Sequence, residues 1–564
     1  MIDKMKNNIL VIILAFFMTA CQNLDLNPLS SGSSGNWYSN EDEIVMALRD
    51  LYRAPFWPVD DESWTDDYTQ RDKTGAVLNG TLNGQTGVVT DYWSTQYKLI
   101  CRATSILKYS SRALDNGLSK AKYDRFIAEA RFLRACAYSR LTEKFGDVPY
   151  VDDVLTIDQA FAYGRTPVAE VNQHIYEDFD EAIKLLPEKY SGEQRATKYA
   201  AMAFKARHAL YIGDYKTAAE VSENLIESGV FSLHKDFSDM FVSSPVESNN
   251  DEAIFKLPRS VELKINHFST RDYMPRLFGG YAQYTPSWDL LASFLCTDGL
   301  TIDKSPKFDP HNPFENRDPR CEATIVRFGS NYLGIEYNPS PLAEDLYNYD
   351  TGKYDTKNKD SRISQQYASF NGLIWRKKVD ETWKKFLAAN DYIIIRFAEM
   401  YLTYAEAKIE LGDIDQSVLD AINTVRSRAY KVTKDMTDKY PAVTTKDQTE
   451  LRRIVRTERR MEFAMEGLRY MDLVRWKLAS VSLNRKNYGM RYPMSKSEEY
   501  MKDWFWAFTP IIDDNGLPDF TELEKQGKIM ALSERNWSDR QYLWPIPTTD
   551  LQLNENMKPN NPGY

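Results

Sequence analysis

Carboxylates and tryptophans alternate in one irregular stretch near the start of the chain, FWPVDDESWTDDYTQRD at 56–72. Two carboxyl groups that flank a glycosidic bond about 5–10 Å apart can hydrolyse it, one as acid and one as nucleophile. Asp60 with Asp61, or Asp66 with Asp67, supplies the residue types but, as neighbours in one loop, not the separation. Tryptophans beside hydrogen-bonding groups suit the apolar face and polar rim of a sugar ring. The stretch therefore favours sugar binding over hydrolysis.

Three later stretches place aromatic residues beside polar ones: YAQYTPSW at 281–288, NYLGIEY at 331–337 and WR at 375–376. Each aromatic residue could equally pack in a core, because tryptophan and tyrosine combine an apolar face with a polar edge. The candidate ligand-binding residues are therefore chosen only by their residue type and their position in irregular segments. The predicted ligand-binding residues are Trp57, Trp64, Asp66, Asp67, Arg71, Tyr284, Trp288, Tyr332, Tyr337, Trp375 and Arg376.

A ladder of charges runs through ERRMEFAMEGLRYMDLVRW at 458–476, where Glu458, Glu462 and Glu466 recur every four residues. Such a cluster could supply an acid and a base. Opposite charges at helical spacing more often form ion pairs, each worth about 0.2–0.5 kcal/mol. We expect an ion-paired helix face with no catalytic role.

Histidines and cysteines show no metal-binding pattern. The five histidines are scattered singly, and Cys101, Cys136, Cys296 and Cys321 form no C-x-x-C pair. Cys101 and Cys136 lie in apolar helical patterns, where a free thiol behaves as a small hydrophobe. Disulfides remain open for an exported chain, but we expect free, buried thiols, no metal site and no cofactor.

The first apolar run of the chain ends at a cysteine. Lys4 and Lys6 precede ILVIILAFF at 9–17, which has the length of a signal-peptide core and is too short to span a bilayer. Met18-Thr19-Ala20-Cys21 resembles a bacterial lipobox, although ordinary cleavage near Ala20 is the alternative. The expected organisation is a signal peptide at 1–20, a lipid-anchored Cys21 and a flexible Ser/Gly-rich tether at 21–38.

The net charge of the chain limits the classes of partner that it is expected to bind. A formal net charge of −10 disfavours nucleic acid and anionic membrane surfaces. The aromatic content is high, with 12 Trp, 35 Tyr and 26 Phe. These residues serve cores and amphipathic ligands alike, so the counts by themselves assign no function.

Helical patterns dominate the rest of the chain. Two stretches, 198–228 and 401–428, each read as a helix, a Gly-Asp turn and a second Ala-rich helix. This is the pattern of a tetratricopeptide unit, with a generic antiparallel helix pair as the alternative. Further amphipathic helices are predicted at 39–52, 91–108, 123–141, 167–186 and 447–476. The expected fold class is mainly α, a helical-repeat superhelix.

The remaining segments have weak periodicity and are rich in Pro, Asn, Gly and Tyr. We expect loops and short strands there, a common place for binding residues on a rigid scaffold. The body at 39–564 is therefore divided into a scaffold (39–54, 89–234 and 386–477), an irregular ligand-binding half (55–88, 235–385 and 478–545) and a C-terminal strap (546–564).

Several of these stretches together resemble the SusD/RagB family. They run in order across nearly the whole chain, which makes the set more specific than any one of them. The motifs are FIAEARFLRACAYSRLTEKFGDVPY (126–150), NNDEAIF (249–255), NRDPR (316–320), IIIRFAEMYLTYAEAKIELG (393–412), ERRMEFAMEGLRYMDLVRW (458–476) and YLWPIPTTDLQLNENMKPNNPGY (542–564).

This resemblance implies a function. Family members are surface lipoproteins of Gram-negative outer membranes that bind a glycan, or in some cases a peptide. They act as a lid on a SusC-like TonB-dependent transporter and catalyse nothing. The resemblance supplies no motif for the ligand site. A glycoside hydrolase and a protein-binding tetratricopeptide adaptor stay open as less favoured alternatives.

Overall fold

The computed structural model describes residues 37–57, 60–71, 73–242, 251–265 and 270–564. The predicted signal peptide, Cys21 and nearly all of the tether lie outside the described residues. In the described ranges no helix is both long and apolar enough to cross a membrane.

Long helices occupy the segments in which the sequence shows helical periodicity. Most of these helices begin at a capping residue or directly after a proline, and apolar residues follow at helical spacing. The α-helices are α1 (Glu41–Asp50), α2 (Gly87–Tyr109), α3 (Ser111–Asp115), α4 (Lys120–Phe145), α5 (Ile157–Ala162), α6 (Val168–Leu185), α7 (Lys198–Ile212), α8 (Tyr215–Glu227), α9 (Trp288–Ser293), α10 (Arg320–Thr324), α11 (Phe397–Leu411), α12 (Gln416–Ala429), α13 (Gln448–Phe463), α14 (Arg469–Arg475), α15 (Ala479–Ser482), α16 (Glu498–Met501), α17 (Thr521–Lys525) and α18 (Thr548–Leu553).

The long helices stack side by side in nearly sequential order. Helix α4 packs between α2 and α6, α7 joins α6 to α8, and α11 packs against α8, α12 and α13. The stack brings α11, from late in the chain, directly against α8 from its first half. It therefore forms one continuous helical scaffold, as stacked helix pairs do.

The two Gly-Asp turns form tight helix connections with different caps. Gly213 and Gly412 both adopt a left-handed conformation, with φ of 80° and 73°. Asp214 then caps α8 by accepting a hydrogen bond from the backbone N–H of Thr217 at 3.1 Å. In the second turn Asp415 is the cap of α12. The Gly-Asp sequence that the two turns share thus gives the same glycine conformation but a different capping residue for the following helix.

Short strands lie outside the helical stack and form small antiparallel sheets. The strands pair as β1 with β3, β2 with β8, β9 with β12, β10 with β11, and β4-β5-β6-β7 in one four-stranded sheet. The strands are β1 (Tyr68–Gln70), β2 (Ala253–Leu257), β3 (Tyr284–Pro286), β4 (Ser330–Tyr332), β5 (Ile335–Tyr337), β6 (Asp345–Asn348), β7 (Lys353–Lys357), β8 (Tyr392–Arg396), β9 (Lys486–Met490), β10 (Ile511–Ile512), β11 (Pro518–Asp519) and β12 (Ile529–Glu534).

Two large hydrophobic cores underlie this arrangement. One is built mainly by the helical scaffold and includes Trp544 from the C-terminal region. The other lies in the irregular half, around Trp288, Trp375 and Trp506, and receives Met461 from α13. The predicted fold class, mainly α with an irregular insert carrying short strands, is confirmed. The exact division into two halves and a strap stays a prediction.

Two local expectations are wrong. The helix expected over 447–476 is broken between α13 and α14, because Met465 and Gly467 take left-handed conformations with φ of 62° and 80°. The four cysteines outside the N-terminal segment are free, as expected, but Cys101 is exposed rather than buried. It lies on the outer side of α2, while the neighbouring Leu99, Ile100 and Ala103 form the buried side.

Candidate functional site

Three partly exposed tyrosines lie near one another on the irregular half. Tyr281, Tyr367 and Tyr492 are 37%, 52% and 46% exposed. Two arginines link them through hydrogen bonds and cation–π contacts. We call this surface the Tyr–Arg face and define it as Arg71, Tyr281, Arg362, Tyr367, Phe370 and Tyr492.

Arg71 holds two loops of the Tyr–Arg face together. It follows strand β1, and its backbone N–H donates to the carbonyl oxygen of Gln283 at 2.9 Å. Its Nη1 donates to the carbonyl oxygens of Tyr281 at 3.0 Å and Tyr367 at 3.1 Å. The guanidinium also lies over the rings of Tyr367 and Phe370, with its carbon 5.2 and 5.5 Å from the ring centroids. One cation therefore fixes the spacing of two tyrosines.

Arg362 is clamped between two aromatic rings. Its guanidinium carbon lies 3.8 Å from the centroid of Phe370 and 4.1 Å from that of Tyr492. These are close cation–π distances. Burial lowers the pKa of Arg362, and the Arg71 cation lowers it further. The side chain nevertheless remains a cation at neutral pH, because arginine starts from a pKa above 12.

The loop that carries Tyr281 is held by a buried carboxylate and a close backbone approach. Asp360 accepts hydrogen bonds from the backbone N–H groups of Arg276 at 2.7 Å and Leu277 at 3.3 Å. Burial raises the pKa of Asp360 to about 7, although those N–H groups oppose the rise. At Gly280 any side chain would place its Cβ only 2.1 Å from the carbonyl oxygen of Met274. The tight turn before Tyr281 thus requires glycine.

The segment that carries Phe370 is fixed to the second core. The carbonyl oxygen of Phe370 accepts from the backbone N–H of Met490 at 3.0 Å. The side-chain amide of Asn371 donates to the carbonyl oxygen of Pro286 at 2.7 Å, and the indole N–H of Trp288 donates to the carbonyl oxygen of Asn371 at 2.8 Å. These bonds place a rigid support beneath the exposed rings.

The predicted tryptophan platform at 57–64 is not exposed in this structure. Trp57 is 1% exposed, donates from its indole N–H to the carbonyl oxygen of Leu51 at 3.0 Å, and packs against Phe255. Trp64 is 8% exposed and packs edge-on against Trp544 at 5.0 Å between ring centroids. Neither ring offers a face to a sugar, because long-range partners cover both sides.

The later aromatic candidates are also mostly buried. The rings of Trp288, Tyr332, Tyr337 and Trp375 are between 1% and 3% exposed. The hydroxyl of Tyr337 donates to the carbonyl oxygen of Gly372 at 2.8 Å, which ties the four-stranded sheet to the segment beneath the Tyr–Arg face. As placed, these residues support a surface and do not form it.

Asp66 and Asp67 form buried ion pairs. Asp66 pairs with Arg469 at 2.8 Å, and Asp67 pairs with Arg460 at 2.6 Å. Burial acts to raise the pKa of Asp66, but Arg460 and Arg469 hold it well below its usual range. The pKa of Asp67 is raised, chiefly by burial. Neither carboxylate reaches a surface ligand in this conformation.

Three predicted residues are at least half-buried near the surface. Arg71 belongs to the Tyr–Arg face. Tyr284 lies beneath it, with its ring centroid 5.6 Å from that of Tyr68. Arg376 lies elsewhere and donates from Nη2 to the hydroxyl of Ser330 at 2.8 Å. Sequence reasoning missed Arg362, although its flanking aromatic residues at 367 and 370 were a usable signal.

A second exposed aromatic group lies on the β6–β7 hairpin. Tyr349 and Tyr354 are 44% and 68% exposed, and both rings contact Tyr347, with centroids 5.0 and 5.2 Å apart. Among the described residues no cation stacks on these three rings. The hairpin offers apolar faces but lacks the charged donors of the Tyr–Arg face.

The acidic ladder of α13 lies inside the protein and not on its surface. Glu458 and Glu462 are 0% exposed, and Glu462 binds Arg320, Arg396 and Arg428. The expected ion pairs are present, but they are buried, because Arg320 from the irregular half and Arg396 and Arg428 from the scaffold cover this helix end. In the described residues no group of three or more His, Cys, Asp or Glu side chains could hold a metal ion.

Comparisons with known proteins agree with this fold. The sequence model described as SusD family matches residues 251–564, more than half of the chain, and one described as "Starch-binding associating with outer membrane" matches 48–210. SusD-like protein P2 of Formosa agariphila is 23% identical, with 99% of this chain and 100% of that protein covered. Starch-binding protein SusD of Bacteroides thetaiotaomicron is 22% identical, with 79% and 74% covered. A crystal structure of a SusD-like carbohydrate-binding protein from Bacteroides fragilis matches with a TM-score of 0.76 and 29% identity, covering 93% and 100%.

Proposed function

The chain belongs to the SusD family, and from this premise we propose that it is a non-catalytic, cell-surface lipoprotein that binds a glycan and delivers it to a SusC-like TonB-dependent transporter. The descriptions of the matching family and of the similar proteins support glycan cargo and outer-membrane association. The structural observation that supports a glycan as the cargo is the Tyr–Arg face. Peptide cargo is the alternative, because aromatic clefts also bind peptides.

The Tyr–Arg face has the chemistry that a sugar needs. Apolar sugar faces stack on exposed rings, and sugar hydroxyls accept hydrogen bonds from guanidinium groups. Tyr281, Tyr367 and Tyr492 supply the rings, and Arg71 with Arg362 supplies the donors. The loops are tied to the second core, so the site needs little ordering when it binds.

The test is affinity gel electrophoresis of the detergent-purified full chain on a panel of polysaccharides, followed by calorimetry on each hit. We expect retardation by at least one polysaccharide class. Retardation by none, together with binding of oligopeptides, contradicts glycan cargo and supports the peptide alternative.

The non-catalytic role is tested with the same hits. Of the two aspartate pairs considered for hydrolysis, Asp66 and Asp67 form ion pairs with the buried Arg469 and Arg460. We therefore expect no release of reducing ends when purified protein is incubated with the bound polysaccharide. Time-dependent release that follows the protein through purification contradicts this proposal.

Membrane attachment and transporter association have separate tests. Cys21→Ala should move the protein out of the membrane fraction, because acylation supplies the attachment. Retention of this variant in membranes contradicts the lipid anchor. Capture of the wild-type chain from solubilised outer membranes should co-purify a TonB-dependent transporter. Its absence under mild detergent contradicts the delivery role.

A further inference from the structure

Guanidinium donors on the Tyr–Arg face lack acceptors. The Nε and Nη1 atoms of Arg362 and the Nε atom of Arg71 are enclosed and make no hydrogen bond in the described part of the chain. No described carboxylate forms an ion pair with either guanidinium, and the charged or ionisable neighbours of Arg362 are Tyr492, Tyr500 and Arg71. Arg362 is only 7% exposed, so water does not fully replace these missing partners.

Three buried arginines at the junction between the scaffold and the irregular half do have carboxylate partners. Arg320, Arg396 and Arg428 all bind carboxylates at the junction between the scaffold and the irregular half. Buried charges are usually paired in this way, since an unpaired charge loses its hydration without compensation. Among the described residues Arg362 instead has only the ring faces of Phe370 and Tyr492 beside its guanidinium, which leaves its charge without a carboxylate partner there.

The two arginines, neither of which pairs with a described carboxylate, are neighbours. Arg71 and Arg362 lie over the same ring, that of Phe370, at 5.5 and 3.8 Å from its centroid. Two like charges beside one low-dielectric surface create a local positive potential. The net charge of −10 does not cancel it, because charges beyond about 8 Å are screened at physiological ionic strength.

We propose that the Tyr–Arg face selects acidic oligosaccharides: the anionic substituent of one sugar unit, a uronate carboxylate or a sulfate ester, binds Arg71 and Arg362, while neighbouring rings stack on Tyr281, Tyr367 and Tyr492. This inference rests on the proposed glycan-binding function. Guanidinium forks match the planar geometry of carboxylate and sulfate oxygens and bind them by charge-assisted hydrogen bonds. The Nε atoms of both arginines and Nη1 of Arg362 are enclosed. Nη1 of Arg71 already donates to two carbonyl oxygens. The Nη2 atoms are therefore the donors left for such a group.

Matched polysaccharide pairs test the proposal on the detergent-purified full chain. Polygalacturonate is compared with its carboxyl-reduced form, and a sulfated galactan with its desulfated form, by calorimetry at low and high salt. The acidic member of one pair should bind at least tenfold more tightly, and added salt should weaken it. The pair that responds identifies carboxylate or sulfate as the ligand group.

Variants separate the charge from the fold. Arg362→Gln should reduce the acidic-to-neutral affinity ratio at least fivefold, while Arg362→Lys should restore part of it. Arg327→Gln removes the same charge from an exposed arginine that pairs with Glu322 on another surface, and should leave the ratio unchanged. Circular dichroism spectra and melting temperatures establish that each variant is folded.

The outcomes distinguish this inference from the function on which it rests. Equal or tighter binding of the neutral members, with no effect of Arg362→Gln on the ratio, overturns acidic selectivity and leaves glycan binding intact. Binding of no member of either pair, nor of any neutral polysaccharide, overturns both. An acidic preference that Arg362→Gln and Arg327→Gln reduce equally overturns the assignment to this site.

Discussion

Arg320 and Glu462 form a fully buried ion pair across the junction of the two halves. Nη1 of Arg320, at the start of α10, donates to Oε2 of Glu462 near the end of α13 at 2.9 Å. Arg396 and Arg428 bind the same carboxylate. Burial acts to raise the pKa of Glu462, but the three guanidinium groups hold it well below its usual range. One carboxylate thus joins strand β8 and three helices.

Glu462→Gln should strongly destabilise the protein. Glutamine keeps the shape but removes the negative charge, which leaves three buried guanidinium groups under-compensated. Breaking a buried pair in this way typically costs about 3–5 kcal/mol. Urea denaturation followed by tryptophan fluorescence should show the loss in unfolding free energy.

Asp514→Asn is the matched control for that prediction. Asp514 pairs with Arg453 at 3.3 Å, and the two side chains are 92% and 51% exposed. An exposed pair contributes about 0–1 kcal/mol, so the control should unfold near the wild-type midpoint. If Glu462→Gln behaves like the control, the junction does not depend on this carboxylate.

The contrast between Glu462 and Trp64 explains what the sequence could predict. The long helices could be predicted because the helical spacing of apolar residues is a local property of each segment. The burial of Glu462 or Trp64 depends on partners far along the chain: Trp64 packs on Trp544, and Glu462 is covered by Arg320. Tryptophan and carboxylate content therefore pointed mostly to supporting positions, whereas the Tyr–Arg face consists of tyrosine, phenylalanine and arginine. Arg71 was found because it directly follows the selected loop.

Asp360 should make stability depend on pH in the opposite direction from an ordinary ion-paired carboxylate. Its pKa is raised from an ordinary 3.8 to about 7, chiefly by burial. The folded state holds the proton more tightly, so this group favours folding at low pH and its contribution is lost as pH rises from about 4 to 7. Relative to Asp360→Asn, the wild type should lose on the order of 1.4 kcal/mol per pH unit within that window.

Urea denaturation of both proteins at pH 4, 5, 6 and 7 measures this difference. Asp355→Asn is the control, because Asp355 lies on the surface and the Thr351 hydroxyl lowers its pKa. It is therefore almost fully ionised in both states from about pH 5 upward and should produce little slope there. Parallel stability curves for wild type and Asp360→Asn mean that Asp360 is already ionised in the folded protein at pH 4.

Trp57→Ala should reduce stability without directly removing a ligand contact. The ring is 1% exposed, packs against Phe255 and lies under the guanidinium of Arg140 at 4.3 Å. Replacing a buried tryptophan by alanine costs about 3–5 kcal/mol through lost burial and a cavity. At a temperature where the variant is folded, calorimetry should give the wild-type ligand affinity. Loss of affinity at wild-type stability means that Trp57 contacts ligand after all.

Tyr367→Ala should weaken glycan binding about tenfold or more, which corresponds to about 1.4 kcal/mol. Its ring is 52% exposed and backed by the Arg71 cation at 5.2 Å, so it offers one face for stacking. The Arg71 hydrogen bond goes to the Tyr367 carbonyl oxygen, which the substitution keeps. Tyr354→Ala is the matched control, because Tyr354 is 68% exposed on the β6–β7 hairpin and no cation of the described residues stacks on its ring. Calorimetry with the same oligosaccharide separates the two surfaces: loss only in Tyr367→Ala supports the Tyr–Arg face, whereas loss only in Tyr354→Ala moves the site to the hairpin.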